Sequence, residues 1–186
     1  MKYLERSGEY SRVCDPSWND PLDTSYAAKY GGRWNAPGSF GVLYLNATIG
    51  VAAANARRNF EGEIATLFDL RPENRPDLQF VEVRPATFVD AVTRAGLRAL
   101  RLPARFPYGV SHAVCQRIGT RAHARGDNGI ATRSNAEVTP TSVGGEELAV
   151  FDSALALIGR GERVPFDRWY PVEAPQRPPS ERRSAG

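Results

Sequence analysis

The run of elements encoded here predicts an α+β fold, a central and mostly antiparallel sheet flanked by a few helices. Three observations carry that prediction. Short apolar runs rich in strand formers recur along the chain, most of them bounded by Gly, Pro, Asn or Asp. Only a few segments show the 3.6-residue apolar period of a helix, so strands are interspersed with few helices. The composition, 41% apolar and 24% charged over 186 residues, suits one globular domain with a real core. We read residues 1–171 as that domain. From Val172 onward, Pro175, Pro178 and Pro179 with Ser and Arg predict a disordered tail over residues 172–186.

Tyr10 to Cys14 reads as a first strand, ended by Asp15-Pro16 and carrying Arg12 at its tip or on one face. Asp20 to Tyr30 reads as a loose helical segment leading into a glycine pair. Val42-Leu43-Tyr44-Leu45 is a buried strand with Tyr44 inside it. Thr48 caps a helix whose Ile49, Ala52, Ala53, Ala56 and Phe60 follow the helical period, and Asn55 falls on the flank of that apolar stripe, where it looks into a cleft beside the core. Ile64 to Leu70 and Leu78 to Val83 read as paired or neighbouring strands around a Pro-containing turn.

Thr87 to Leu102 reads as short helices. From Tyr108 to Arg125, Val110, Val114, Ile118 and Ala122 recur every four residues as a second amphipathic helix, stopped by Gly126-Asp127-Asn128-Gly129. Ile130 to Ser134 is a short strand ending in a serine, and Glu147 to Phe151 a strand after the Gly144-Gly145 turn.

Charge and cysteine usage narrow the chemistry. Of the formal net charge of +3, Arg177, Arg182, Arg183 and Glu181 near the C-terminus supply +2, so the rest of the chain gives little support to nucleic-acid binding by a basic field. Cys14 and Cys115 lie far apart without metal-ligand spacing and read as structural thiols. His112 and His123 share roughly one helix face with no carboxylate or cysteine to complete a metal set, which favours a surface or partner-facing role. The charged amino terminus lacks the apolar run of a signal peptide, and no segment approaches membrane-spanning length, so the expected location is cytoplasmic.

The segment Gly31-Gly32-Arg33-Trp34-Asn35-Ala36-Pro37-Gly38 is the richest in the chain. Its glycines permit close backbone approach and Pro37-Gly38 supplies turn chemistry. Arg33 offers a planar fork of donors for phosphate or carboxylate, and Trp34 offers either a stacking face or core bulk. The combination reads as a clamp for a flat, anionic ligand.

The order of these residues resembles the RES-domain family, named for arginine, glutamate and serine positions. Tyr10-Ser11-Arg12-Val13 stands at the family's first arginine strand, and Gly31-Gly32-Arg33-Trp34-Asn35 at its central motif. Tyr44 follows Arg33 by eleven positions, and Gly129 to Ser134 resembles the segment bearing the family's serine. The resemblance covers residues 10–155 and implies an ADP-ribosyltransferase-like fold and a toxin that degrades NAD+, with a small antitoxin carrying a DNA-binding module as partner. The implied reaction is phosphorolysis of the nicotinamide–ribose bond, with inorganic phosphate as co-substrate, or hydrolysis; no cofactor is required.

Under that resemblance Arg12 and Arg33 pair the pyrophosphate, Tyr44 and Trp34 wall in the nicotinamide ring, and Ser134 bonds a ribose hydroxyl or its neighbour. One position departs. Twenty-two residues beyond Arg33, where the family carries a glutamate, this chain has Asn55. An amide accepts a hydrogen bond but supplies no full negative charge opposite an oxocarbenium ion, a loss of about 3–4 kcal/mol. Glu61 and Glu63 are acids near the end of the same helix, at the wrong spacing. Asn55 leaves one alternative, a module that binds NAD+ or an ADP-ribosyl group without efficient cleavage, and the implied fold permits another, ADP-ribosyl transfer to a macromolecule.

Overall fold

Alternating side chains on short strands build the framework. The structure, a computed structural model, describes residues 1–58, 60, 62, 64–136 and 144–171. Glu61, Glu63 and the tail 172–186 lie outside the described residues. Six strands form one sheet: β1 (Tyr3–Cys14), β2 (Val42–Asn46), β3 (Asp77–Ala91), β4 (Gly129–Arg133), β5 (Glu146–Phe151) and β6 (Ile158–Val164). All pairings are antiparallel except β3 with β4, so the fold is α+β with a mixed, mostly antiparallel sheet.

The pairings run in a closed circuit from β1 through β2, β5, β4 and β3 back to β1. The long β3 makes this possible. It pairs with β1 along most of its length, while its other edge serves β6 over Leu78–Val83 and β4 over Val89–Ala91. The β1–β3 register shifts between Arg6 and Gly8, opposite Pro85, where a residue without an N–H interrupts the ladder. The circuit closes between β1 and β2 at a single pair, Ser11 with Asn46.

Period-two alternation sorts the strand residues into two layers. Leu43 and Leu45 of β2 with Leu148 and Val150 of β5 turn toward Tyr10, Val81, Val83 and Phe88. Val42 of β2, with Ala149 and Phe151 of β5, turns the other way, against the helices α3 (Arg94–Leu100) and α4 (His112–Ala124). A third cluster joins α2 (Ile49–Arg58) to Leu78, Val164 and the short α5 (Phe166–Trp169). The remaining helix, α1 (Ser25–Tyr30), precedes the glycine pair.

Thr48 caps α2 as its sequence predicts, its hydroxyl accepting from the Val51 N–H at 3.2 Å. Three expectations are corrected. Ile64 to Leu70 is not a strand: Ile64 is fully exposed and Leu67–Asp69 form a single 3-10 turn with a capping box from Thr66. Thr87–Ala91 extend β3, and only Arg94–Leu100 are helical. β1 begins at Tyr3 rather than Tyr10, so the first strand is twelve residues long.

Candidate functional site

The residues singled out by sequence come from five elements and largely converge. Arg12 near the end of β1, Arg33 in the loop before β2, Tyr44 on β2 and Asn55 on α2 all line one cavity of about 390 Å³. Its other walls include Trp18, Asn46, Arg58, His112 and Glu147. The circuit of strands explains the convergence, because the Ser11–Asn46 pair sets Arg12 beside β2, and Asn46 pairs with Glu147 of β5.

The 31–38 loop is fixed in place by hydrogen bonds from β2, from α4 and within the loop itself. The Tyr44 hydroxyl accepts from the Trp34 N–H at 2.9 Å and donates to Asn35 Oδ1 at 3.0 Å. Asn35, fully buried, donates to the carbonyls of Ala27 and Phe40. Burial pushes the Tyr44 phenol well above its usual range, so it stays protonated in this role. The Gln116 side chain of α4 donates to the Gly32 carbonyl at 2.9 Å. Gly32 must lack a side chain, since a Cβ there would lie 2.5 Å from the Tyr44 hydroxyl.

Held this way, the loop projects Arg33 into a partly desolvated position. Its NH1 is buried without a hydrogen-bond partner among the described residues. Burial lowers its pKa, Glu147 acts in the opposite sense, and Arg58 adds repulsion. A guanidinium in this state is a receptor for an anion. Arg12 is steadied differently: its NH1 donates to the carbonyls of Pro21 at 2.7 Å and Asp23 at 3.1 Å, and its guanidinium lies 5.2 Å from the Trp18 ring centroid. Burial lowers its pKa too.

Two of the sequence assignments change. Trp34 presents no stacking face: it is fully buried, packed 6.0 Å from the Phe106 ring centroid and wedged against α4. The aromatic that lines the cavity beside Tyr44 is Trp18, which the sequence reading passed over. Ser134 is likewise fully buried, so its hydroxyl is not offered to a ligand; it donates to Glu147 Oε1 at 2.8 Å.

Glu147 is the cavity-lining acid that sequence reasoning missed. The same Oε1 accepts from the Asn55 side-chain amide at 2.9 Å. That amide also donates to Asn46 Oδ1 at 2.8 Å, and the Asn46 side chain donates to the Ser11 carbonyl at 3.0 Å. One polar chain thus runs from β1 through β2 and α2 to the β5 carboxylate. The available signal was the alternation on β5: Glu147 shares a face with Ala149 and Phe151, the face toward Tyr44 and α4.

His112, at the start of α4, also reaches the cavity, with its pKa held down by partial burial and then by Arg33 and Arg58. The site therefore combines three arginines, a histidine, one oriented carboxylate and two aromatic rings. It can bind an extended anion bearing a flat ring.

Comparison with known structures gives the same architecture. A chain of the M. tuberculosis MbcT–MbcA toxin-antitoxin complex superposes with a TM-score of 0.72 at 22% identity, covering 88% of this chain and 86% of that one. No sequence match was found among curated proteins. The RES-domain model matches residues 9–169, from the Arg12 strand to the end of the last helix, and the chain belongs to the RES-domain family.

Proposed function

We propose that this protein cleaves NAD+ at the nicotinamide–ribose bond and acts as the toxin of a toxin–antitoxin pair. The observation that carries the reading is Arg33, a half-desolvated guanidinium with an unpartnered buried nitrogen, facing the same cavity as Arg12 and Arg58. The pyrophosphate of NAD+ supplies the missing anion, in the bidentate manner that arginine favours. Tyr44 and Trp18 flank the space for a planar ring. The toxin half of the proposal draws on family membership and on the toxin-antitoxin complex among similar structures. It includes an antitoxin with a DNA-binding module that covers the cavity, and a fold of the ADP-ribosyltransferase type.

In the reaction, the bond from the ribose C1′ to the pyridinium nitrogen breaks, and its electron pair stays on the ring, which leaves as neutral nicotinamide. The ribosyl cation is captured at C1′ by an oxygen of inorganic phosphate, giving ADP-ribose 1-phosphate, or by water with release of a proton, giving ADP-ribose. Arg12, Arg33 and Arg58 hold the pyrophosphate so that the ribose is fixed while this happens. The transition state is oxocarbenium-like, so charge placement matters more than a strong nucleophile.

Purified protein incubated with NAD+, with and without phosphate, should release nicotinamide, and Arg33→Ala should reduce kcat/KM by at least about tenfold, the loss of roughly one charge-assisted bond. Absence of nicotinamide in both conditions overturns the reading.

A further inference from the structure

We infer that Glu147 is the catalytic carboxylate of this protein, and that Asn55 is its positioning partner. The inference rests on the NAD+-cleaving reading and deepens it. Among the described residues lining the cavity, Glu147 is the one acid, facing three arginines and a histidine. Cleavage of the C1′–N bond leaves positive charge on the ribose, and a fixed anion beside it is worth more than any other single group.

The carboxylate is built for that task. Its Oε1 takes one hydrogen bond from the Asn55 amide at 2.9 Å and one from the Ser134 hydroxyl at 2.8 Å. Both partners are neutral donors, which orient a carboxylate and leave its charge intact. Ser134 is itself anchored, its oxygen accepting from the Ala136 N–H at 3.2 Å, and Asn55 is anchored through Asn46. The opposing group has to be an amide. A glutamate at position 55 would bring a second carboxylate to hydrogen-bond distance of Glu147, and two such groups cannot both stay ionised without cost.

The amide at position 55 is thus the complement of the acid at 147. The bond changes are those already given: the C1′–N pair goes to nicotinamide, and phosphate or water supplies the oxygen. Glu147 forms no bond to the sugar and stabilises the cation electrostatically.

The test uses nicotinamide release by the full chain and two variants. Glu147→Gln keeps the shape and the hydrogen-bonding capacity, and should lower kcat by about 10²–10³-fold with KM for NAD+ little changed. Asn55→Glu should lower turnover at neutral pH. Glu147→Gln activity within threefold of the parent, or a gain of turnover in Asn55→Glu, overturns the inference while leaving NAD+ cleavage intact. An inactive parent chain overturns the proposed function and the inference with it. Should Glu147→Gln fail to fold, as judged by its melting curve, Asn55→Glu decides alone.

Discussion

His112 shares its cavity with Arg33 and Arg58, and burial together with those two cations holds its imidazole below the ordinary 6.5. The unfolded chain therefore binds a proton at pH values where the folded chain does not. As pH falls through 6.5 the folded state loses stability, and the loss is complete once the lower folded value is passed. An anion seated between the arginines cancels part of their field and lifts the imidazole pKa. Binding then takes up protons, so affinity should rise as pH falls across the same window. Calorimetry with ADP-ribose, whose pyrophosphate stays doubly ionised here, should show tighter binding at pH about 5.5 than at about 7.5. His112→Gln should flatten most of that dependence, and an unchanged slope would assign the effect elsewhere.

At the scale of elements, α4 sets the loop that bears Arg33. A Cβ at Gly119 would lie 1.7 Å from the Trp34 carbonyl oxygen, so the helix rests directly on the loop backbone. Gly119→Ala must push the two apart, a loss of about 1–3 kcal/mol. It should lower the melting temperature by several degrees and weaken the proposed NAD+ binding together; the same drop in melting temperature with unaltered binding would show that the loop keeps its place without α4. The helices α2 and α4 and the strands β2, β4 and β5 were legible because their apolar periods match their environments. β6 was not, since Ile158–Val164 alternates glycine and charge and is an edge strand with little to bury. Ile64 to Leu70 misled for the opposite reason, being apolar but committed to a 3-10 turn. Within the site, Arg12, Arg33, Tyr44 and Asn55 gather as their order suggested. Trp34 and Ser134 support from behind; alternation on β5 puts Glu147 on the face of Ala149 and Phe151, but its place opposite Asn46 comes from the register of β2 on β5, which is non-local.

For the whole molecule, the decisive feature is the circuit of strands that closes at Ser11 and Asn46. The sheet is a hoop, and that pair is its clasp. The clasp lies at the cavity wall, next to Arg12, and is reinforced by the side chains of Asn46 and Asn55 rather than by a ladder. A hoop fastened at one place opens there first, so amide exchange in the free protein should be faster at Ser11 and Asn46 than along the β1–β3 ladder. Arg12 of β1 and Asn46 of β2 both line the cavity, so a ligand touching both bridges the two strands that the clasp joins. ADP-ribose at about 100 times its Kd should slow exchange at those two amides and add about 2.7 kcal/mol of stability. Equal protection across both seams, with or without ligand, would mean that the hoop is fastened elsewhere. If the clasp behaves as described, occupancy of the site is also what buckles the sheet shut, and a molecule that blocks the cavity stiffens the protein as it silences it.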